Sequence, residues 1–99
     1  MDSPSHHLER LASAAFDETR AQAAAALSRF PEHAPELVPP LVKALGDQEP
    51  VVLVVAANTL GSFGPAATGA IPSLERILNH DNELVRAAAR EALERIRGT

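Results

Sequence analysis

Apolar positions along this chain carry two periods at once, a helical one within short segments and one of 33 residues between segments. Ile71, Leu74, Ile77 and Leu78 fall at i, i+3, i+6 and i+7, a stripe of about two helical turns. Beyond the polar residues 79–82, the side chains Leu84, Val85, Ala88, Ala89, Ala92, Leu93 and Ile96 mark one face of a second helix over Glu83–Arg97, with Asn82 placed as its N-cap. Arg86, Arg90, Glu94 and Arg97 fall on the opposite side. The same plan lies one interval upstream. Leu37, Val38, Leu41, Val42 and Leu45 predict a first helix and residues 46–49 a turn. Pro50 then takes the first position of a second helix, where its missing N–H costs nothing. That helix is expected to run to about Phe63, ahead of Gly64-Pro65.

Residues 33 apart match along the whole chain: Leu8, Leu41 and Leu74; Leu11, Ala44 and Ile77; Arg20, Leu53 and Arg86; Leu27, Leu60 and Leu93; Phe30, Phe63 and Ile96. Such regularity predicts stacked supersecondary units whose shared surfaces form the core. Taken alone, Val51 to Val55 reads as a buried strand, because β-branched residues favour pleated structure. In the repeat register the run overlies Leu84 to Ala88, so helix is expected there, with packing overriding propensity. In the first unit, residues 5–14 predict the first helix, capped by Ser3 or Ser5, and residues 17–30 the second. Glu18, Thr19 and Gln22 stand where the third unit has Leu84, Val85 and Ala88, the polar replacement a terminal layer needs. The other end, which keeps Leu84 and several alanines, is expected to be less well sealed. The expectation is an all-α, right-handed α-solenoid of three helical hairpins, over about 5–30, 34–63 and 67–97, forming a single domain.

Composition narrows the chemistry. With 45% hydrophobic but only 3% aromatic residues, the core must be built from Leu, Val, Ile and Ala, which implies closely packed helices. The absence of cysteine excludes a disulfide framework, thiol catalysis and Cys-containing zinc sites. The polar start and the short longest apolar run, Val51 to Ala57, predict neither a signal peptide nor a membrane span, and so a soluble, cytoplasmic protein. The net charge of −4 is spread as −2, −2 and 0 over residues 1–33, 34–66 and 67–99, a balance that argues against a phosphate backbone as partner.

The segment Gly64-Pro65-Ala66-Ala67-Thr68-Gly69-Ala70-Ile71-Pro72-Ser73-Leu74, followed by Leu78-Asn79-His80-Asp81-Asn82-Glu83-Leu84-Val85-Arg86, Ala88-Ala89 and Ala92-Leu93, resembles HEAT repeats of the short kind common in bacterial proteins. The likeness covers residues 34–97 well and 5–33 more loosely. Signatures of ankyrin and tetratricopeptide repeats, which have similar periods, are missing. The resemblance implies a protein-binding module that uses the surface lined by the second helix of each unit, an adaptor or scaffold for a protein or peptide. It also implies that a Val-Arg pair opening the second helix ties it to an acidic turn. Val85-Arg86 matches with Asp81 as the nearest acid, Thr19-Arg20 matches in part, and Val52-Leu53 departs although Asp47 stands in its turn. Two further readings are a regulatory or chaperone-like subunit of an enzyme, like the HEAT-like phycobilin lyases, and a unit that self-assembles by end-to-end stacking.

No catalytic constellation stands out. His6-His7 read as a solvated terminus, His33 and His80 have no persuasive ligand partner, and the His-Glu dipeptides of HEAT-like di-iron hydroxylases are absent. No phosphate loop, nucleophile elbow or carboxylate pair is visible. The expectation is therefore a non-enzyme with no cofactor and no metal. Arg20, Arg86, Arg90 and Arg97 could form a basic strip, but flanking acids dilute it and no aromatic is placed to stack a base. The expected core-facing set of the middle helix is Val51, Val52, Val55, Ala56, Thr59, Leu60 and Phe63, which leaves Leu53, Val54 and Ala57 towards solvent as an apolar patch. The predicted contact surface is thus Arg20, Leu53, Val54, Ala57, Arg86 and Arg90.

Overall fold

The computed structural model describes residues 2–98, and all statements of structure concern these. They form six α-helices and no strand: α1 (Pro4–Ser13), α2 (Asp17–Leu27), α3 (Ala34–Ala44), α4 (Pro50–Ser62), α5 (Ile71–Ile77) and α6 (Glu83–Arg97). Short 3-10 turns, Pro31–His33 and Gly64–Ala70, join the hairpins. The second helices α2, α4 and α6 begin at Asp17, Pro50 and Glu83, positions related by the sequence period. They make one layer, with α4 packed between α2 and α6, while α1, α3 and α5 back them as the other layer.

Residues 51–55 are helical, as the repeat register predicts, and Pro50 opens α4. Asn82 caps α6, its side-chain oxygen accepting from the N–H groups of Leu84 at 2.8 Å and Val85 at 3.3 Å. Gly98, at φ 76°, ends the same helix in the left-handed conformation that glycine adopts without a Cβ penalty. Ser3 occupies the N-cap position of α1 but its side chain makes no capping bond. The second helix of the first hairpin stops at Leu27, short of Phe30, because the chain tightens into i to i+3 bonds from Ser28 to Ala25, Arg29 to Ala26 and Phe30 to Leu27. As the ladder changes there, the Ala24 carbonyl accepts from Thr59 Oγ1 of α4 at 2.9 Å in a buried site.

That bond and one close approach orient α4. Thr59 faces α2, and with it Val52 and Phe63 on the same stripe. Gly61 faces α6, where an added Cβ would lie 3.1 Å from the Ala92 Cα, so the two backbones approach as only small residues permit. Leu53 and Leu60 point into the core between the layers. The remaining side, one residue per turn, is Val51, Val55, Asn58 and Ser62, all exposed or half-buried. This differs from the expected orientation: Val51, expected in the core, is exposed, whereas Leu53 and Ala57, expected towards solvent, are buried. An all-apolar opening turn carries no polar residue to mark its outer side, so periodicity alone misjudged the rotation of α4.

Both ends of the stack differ from expectation as well. At the end formed by α6, the positions equivalent to buried Ala57 and Gly61 hold exposed Arg90 and Glu94, so charged side chains face solvent where a further layer would lie. Leu84 is on the open side of α6, not at this end, and Val85, Ala89 and Ala92 are buried. At the other end His7 is buried rather than solvated, with Nε2 2.7 Å from Asp2 Oδ1, and Asp2 also pairs with Arg29 at 2.7 Å.

Candidate functional site

The outer surface of the α2, α4 and α6 layer is assembled from corresponding positions of three helices. Glu18, Val51 and Leu84 form its first row, Gln22 and Val55 the second, with the equivalent Ala88 buried, Ala25, Asn58 and Glu91 the third, and Arg29, Ser62 and Arg95 the fourth. Among the described residues the exposed large hydrophobic side chains are Phe16 (74% exposed), Val51 (42%) and Leu84 (70%). All three lie at the N-terminal ends of the layer's helices: Phe16 is the N-cap residue of α2, and Val51 and Leu84 are the second residues of α4 and α6. With neighbouring helices about 8–10 Å apart, they span roughly 20 Å along one edge. Half-buried Val54 and Val55 and exposed Ala87 extend the apolar surface down the same side. Asp17, Glu18, Glu49 and Glu83 border it, in first-turn or N-cap positions that suit the helix dipole.

The sequence-predicted contact residues are not brought together on this surface. Leu53, 2% exposed, and Ala57 are buried and present nothing to a partner, because α4 turns them towards the core and α6. Val54 is half-buried at the margin of the open side, and Arg90 is exposed at the α6 end. Arg20 is already engaged. Its Nε and Nη2 hold Asp47 Oδ2 and Oδ1 at 2.8 and 3.1 Å, a two-pronged ion pair between the first and second hairpins. Its Nη1 donates to the Ala14 and Ala15 carbonyls at 3.0 and 3.3 Å. Arg86 repeats the second half of this arrangement, with Nη1 donating to the His80 and Asp81 carbonyls at 2.7 and 2.9 Å. The resemblance implies a contact with an acidic side chain of the turn, the nearest being Asp81, but the arginine reaches back to main-chain oxygens of its own turn instead.

Asp47 therefore answers the arginine of the preceding hairpin, and has this role although its own unit carries Leu53 at the position equivalent to Arg20. Burial works to raise the pKa of Asp47, but hydrogen bonds from Arg20 and from the Glu49 and Gln48 backbone N–H groups outweigh it and hold the carboxyl below its ordinary value. The Arg20 pKa is raised in turn, first by that hydrogen bond. Phe16, Val51 and Leu84 went unrecognised as a set in the sequence. The available signal was the 33-residue match of Val51 with Leu84 at the second position of a helix, where a side chain projects beyond the packed stripe.

Shallow depressions lie between the helices. One, of about 370 Å³, lies against Leu8, Leu11, Pro40 and Ala44 with the Arg20–Asp47 pair at its rim. Among the described residues no three His, Asp or Glu side chains converge in a way that could hold a metal ion. No helix there is long and apolar enough to cross a membrane. No curated protein matches the chain. A family match does exist, to HEAT repeats, over residues 5–94. Taken with the stacked helical hairpins, this match shows that the chain belongs to the HEAT-repeat family.

Proposed function

We propose that the protein is a non-catalytic binding module that takes up a protein or peptide on the open side of its α2, α4 and α6 layer, in the manner of an adaptor or scaffold. HEAT repeats generally mediate protein–protein interaction, and the family is typically non-catalytic. The observation that carries the reading is the placement of the exposed apolar side chains Phe16, Val51 and Leu84 at one end of that layer's helices, since exposed apolar surface grouped on one side marks interaction sites. Phe16 and Leu84 are the anchors, large side chains that a partner can cover fully. Val54, Val55 and Ala87 supply a flatter apolar floor, and Arg90 lies to one side. The acidic border at Asp17, Glu18, Glu49 and Glu83 favours ligands that carry Lys or Arg beside their apolar anchors.

The test is a peptide library displayed on phage and panned against the intact chain, followed by hydrogen exchange on the complexes. Recovered binders should protect the first turns of α2, α4 and α6, and should lose at least about tenfold in affinity against Phe16→Ser or Leu84→Ser, the loss that about 1.4 kcal/mol at a hot spot represents. Binders that protect α1, α3 and α5 and ignore both substitutions refute the reading.

A further inference from the structure

The first helices of the three hairpins form a second surface, on the other layer from the apolar edge. Each carries a cation in its last turn, Arg10 in α1, Lys43 in α3 and Arg76 in α5, at positions related by the 33-residue period. The helix dipole favours a cation at such an end, but it does not account for what lies between these three. A groove of about 370 Å³ separates α1 from α3, and one of about 470 Å³ separates α3 from α5. They are one feature repeated: Pro40, Lys43 and Ala44 line the first where the equivalent Ser73, Arg76 and Ile77 line the second. Lys43 stands between the two grooves and borders both.

All three cationic side chains are exposed, and none is ion-paired among the described residues. The acids nearest to them are engaged elsewhere, Asp47 with Arg20 and Glu75 with Arg97. Arg76 is also held in place, its Nη2 donating to the Oγ of buried Ser73 at 2.8 Å, so part of its side-chain freedom is already lost before a ligand arrives. The groove floors are apolar, with Leu8 and Leu11 in the first and Val42 and Leu45 in the second. Although the chain carries a net charge of −4, the uncompensated charge along this line is positive. An anionic ligand is therefore drawn here and repelled by the acidic border of the other layer.

The spacing selects the shape of that ligand. Successive first helices roughly 10 Å apart set the three cations at the same interval. A polyproline II helix advances about 9 Å per turn of three residues, so residues i, i+3 and i+6 share one edge in step with the cations while a neighbouring edge falls over the grooves. A β-strand sends residues three apart to opposite faces, and an α-helix, about 10 Å across, is too wide to settle between helices so spaced. We propose that the α1, α3 and α5 face is a docking site for an acidic peptide in the polyproline II conformation, with Asp or Glu at every third residue on Arg10, Lys43 and Arg76 and with apolar side chains of the adjacent edge in the two grooves. This surface is separate from the apolar edge of the α2, α4 and α6 layer, and neither depends on the other.

The probe is a peptide of three Glu-Leu-Pro repeats with both ends capped, titrated at low salt into the intact, isotope-labelled chain while backbone amide resonances are followed by NMR. Controls are a peptide of the same composition with its glutamates adjacent, three Lys-Leu-Pro repeats, and a short single-stranded DNA. The amides of the last turns of α1, α3 and α5 should shift and saturate, with an affinity at least about tenfold above that for the adjacent-glutamate peptide. Lys43→Gln and Arg76→Gln, both at exposed positions that leave the fold intact, should each raise Kd about threefold to fivefold, as loss of an exposed ion pair does. Phe16→Ser should leave this Kd unchanged. The proposal is overturned if the two glutamate peptides bind alike, if the lysine peptide binds as well, if the shifts fall on α2, α4 and α6, if neither glutamine substitution weakens binding, or if the DNA occupies the same helix ends more tightly than the peptide.

Discussion

Leu53→Ala separates the observed orientation of α4 from the alternative in which that side chain faces solvent. Leu53 is 2% exposed, opposite the open side of α4, and sits among Ala56, Ala57 and Leu60 in the core between the layers. Truncating a buried leucine removes its transfer free energy and leaves a cavity, together about 2–5 kcal/mol. Partial collapse is limited here, because the short alanine side chains around it cannot reach into the space. A domain of this size has about 5–15 kcal/mol of stability in total, so the loss is a large fraction of the whole. At roughly 4–8 °C per kcal/mol, a loss of about 3 kcal/mol lowers Tm by about 12–24 °C. The assay is urea and thermal unfolding followed by far-ultraviolet circular dichroism, with Leu84→Ala as the companion. Leu84 is 70% exposed in an equally helical setting, so its truncation should stay within about 0.5 kcal/mol of the parent. A Leu53→Ala variant within about 1 kcal/mol of the parent, or a Leu84→Ala variant that costs as much as it does, refutes the orientation of α4 and the apolar edge derived from it.

Three further outcomes follow from individual contacts. Thr59→Val strands the Ala24 carbonyl and should cost about 1–2 kcal/mol in urea unfolding, more than an isosteric change in a purely apolar setting would. Leu53→Arg alone should destabilise strongly, and His80→Asp should rescue part of the loss by recreating the 27-residue pairing of Arg20 with Asp47; a double-mutant cycle should give a favourable coupling of about 0.5–3 kcal/mol, and no coupling would deny the equivalence of the layers. Because the folded-state pKa of Asp47 is lowered, its contribution to stability is full above the ordinary aspartate value of about 3.9 and is lost as pH falls below that towards the folded value. Acid unfolding of Asp47→Asn, measured from pH 6 to 2, should accordingly show a flatter acid limb than the parent.

The layered architecture was legible because every unit repeats the same spacing of buried leucines, and Leu27, Leu60 and Leu93 are all buried in the fold. The register also settled the helical state of residues 51–55 against their β-branched composition, since tertiary packing sets helix formation where propensity is weak. The contact surface was less legible for two physical reasons. The first turn of α4 is apolar on every side, so its solvent side had to be read from Thr59 and Gly61, whose partners only the fold reveals. The arginine contacts run between layers or to main-chain oxygens, and neither has a signature within one unit. The Arg20–Asp47 pair, 27 residues apart, crosses from one hairpin to the next.

Interlayer proximity itself is the central claim, and NMR of the isotope-labelled chain measures it. The packing of α4 between α2 and α6 predicts nuclear Overhauser contacts from the Gly61 α-protons to the Ala92 methyl group and from the Thr59 side chain to Ala24. Observing both supports the stack and its register; a folded, helical protein in which both contacts are missing contradicts it.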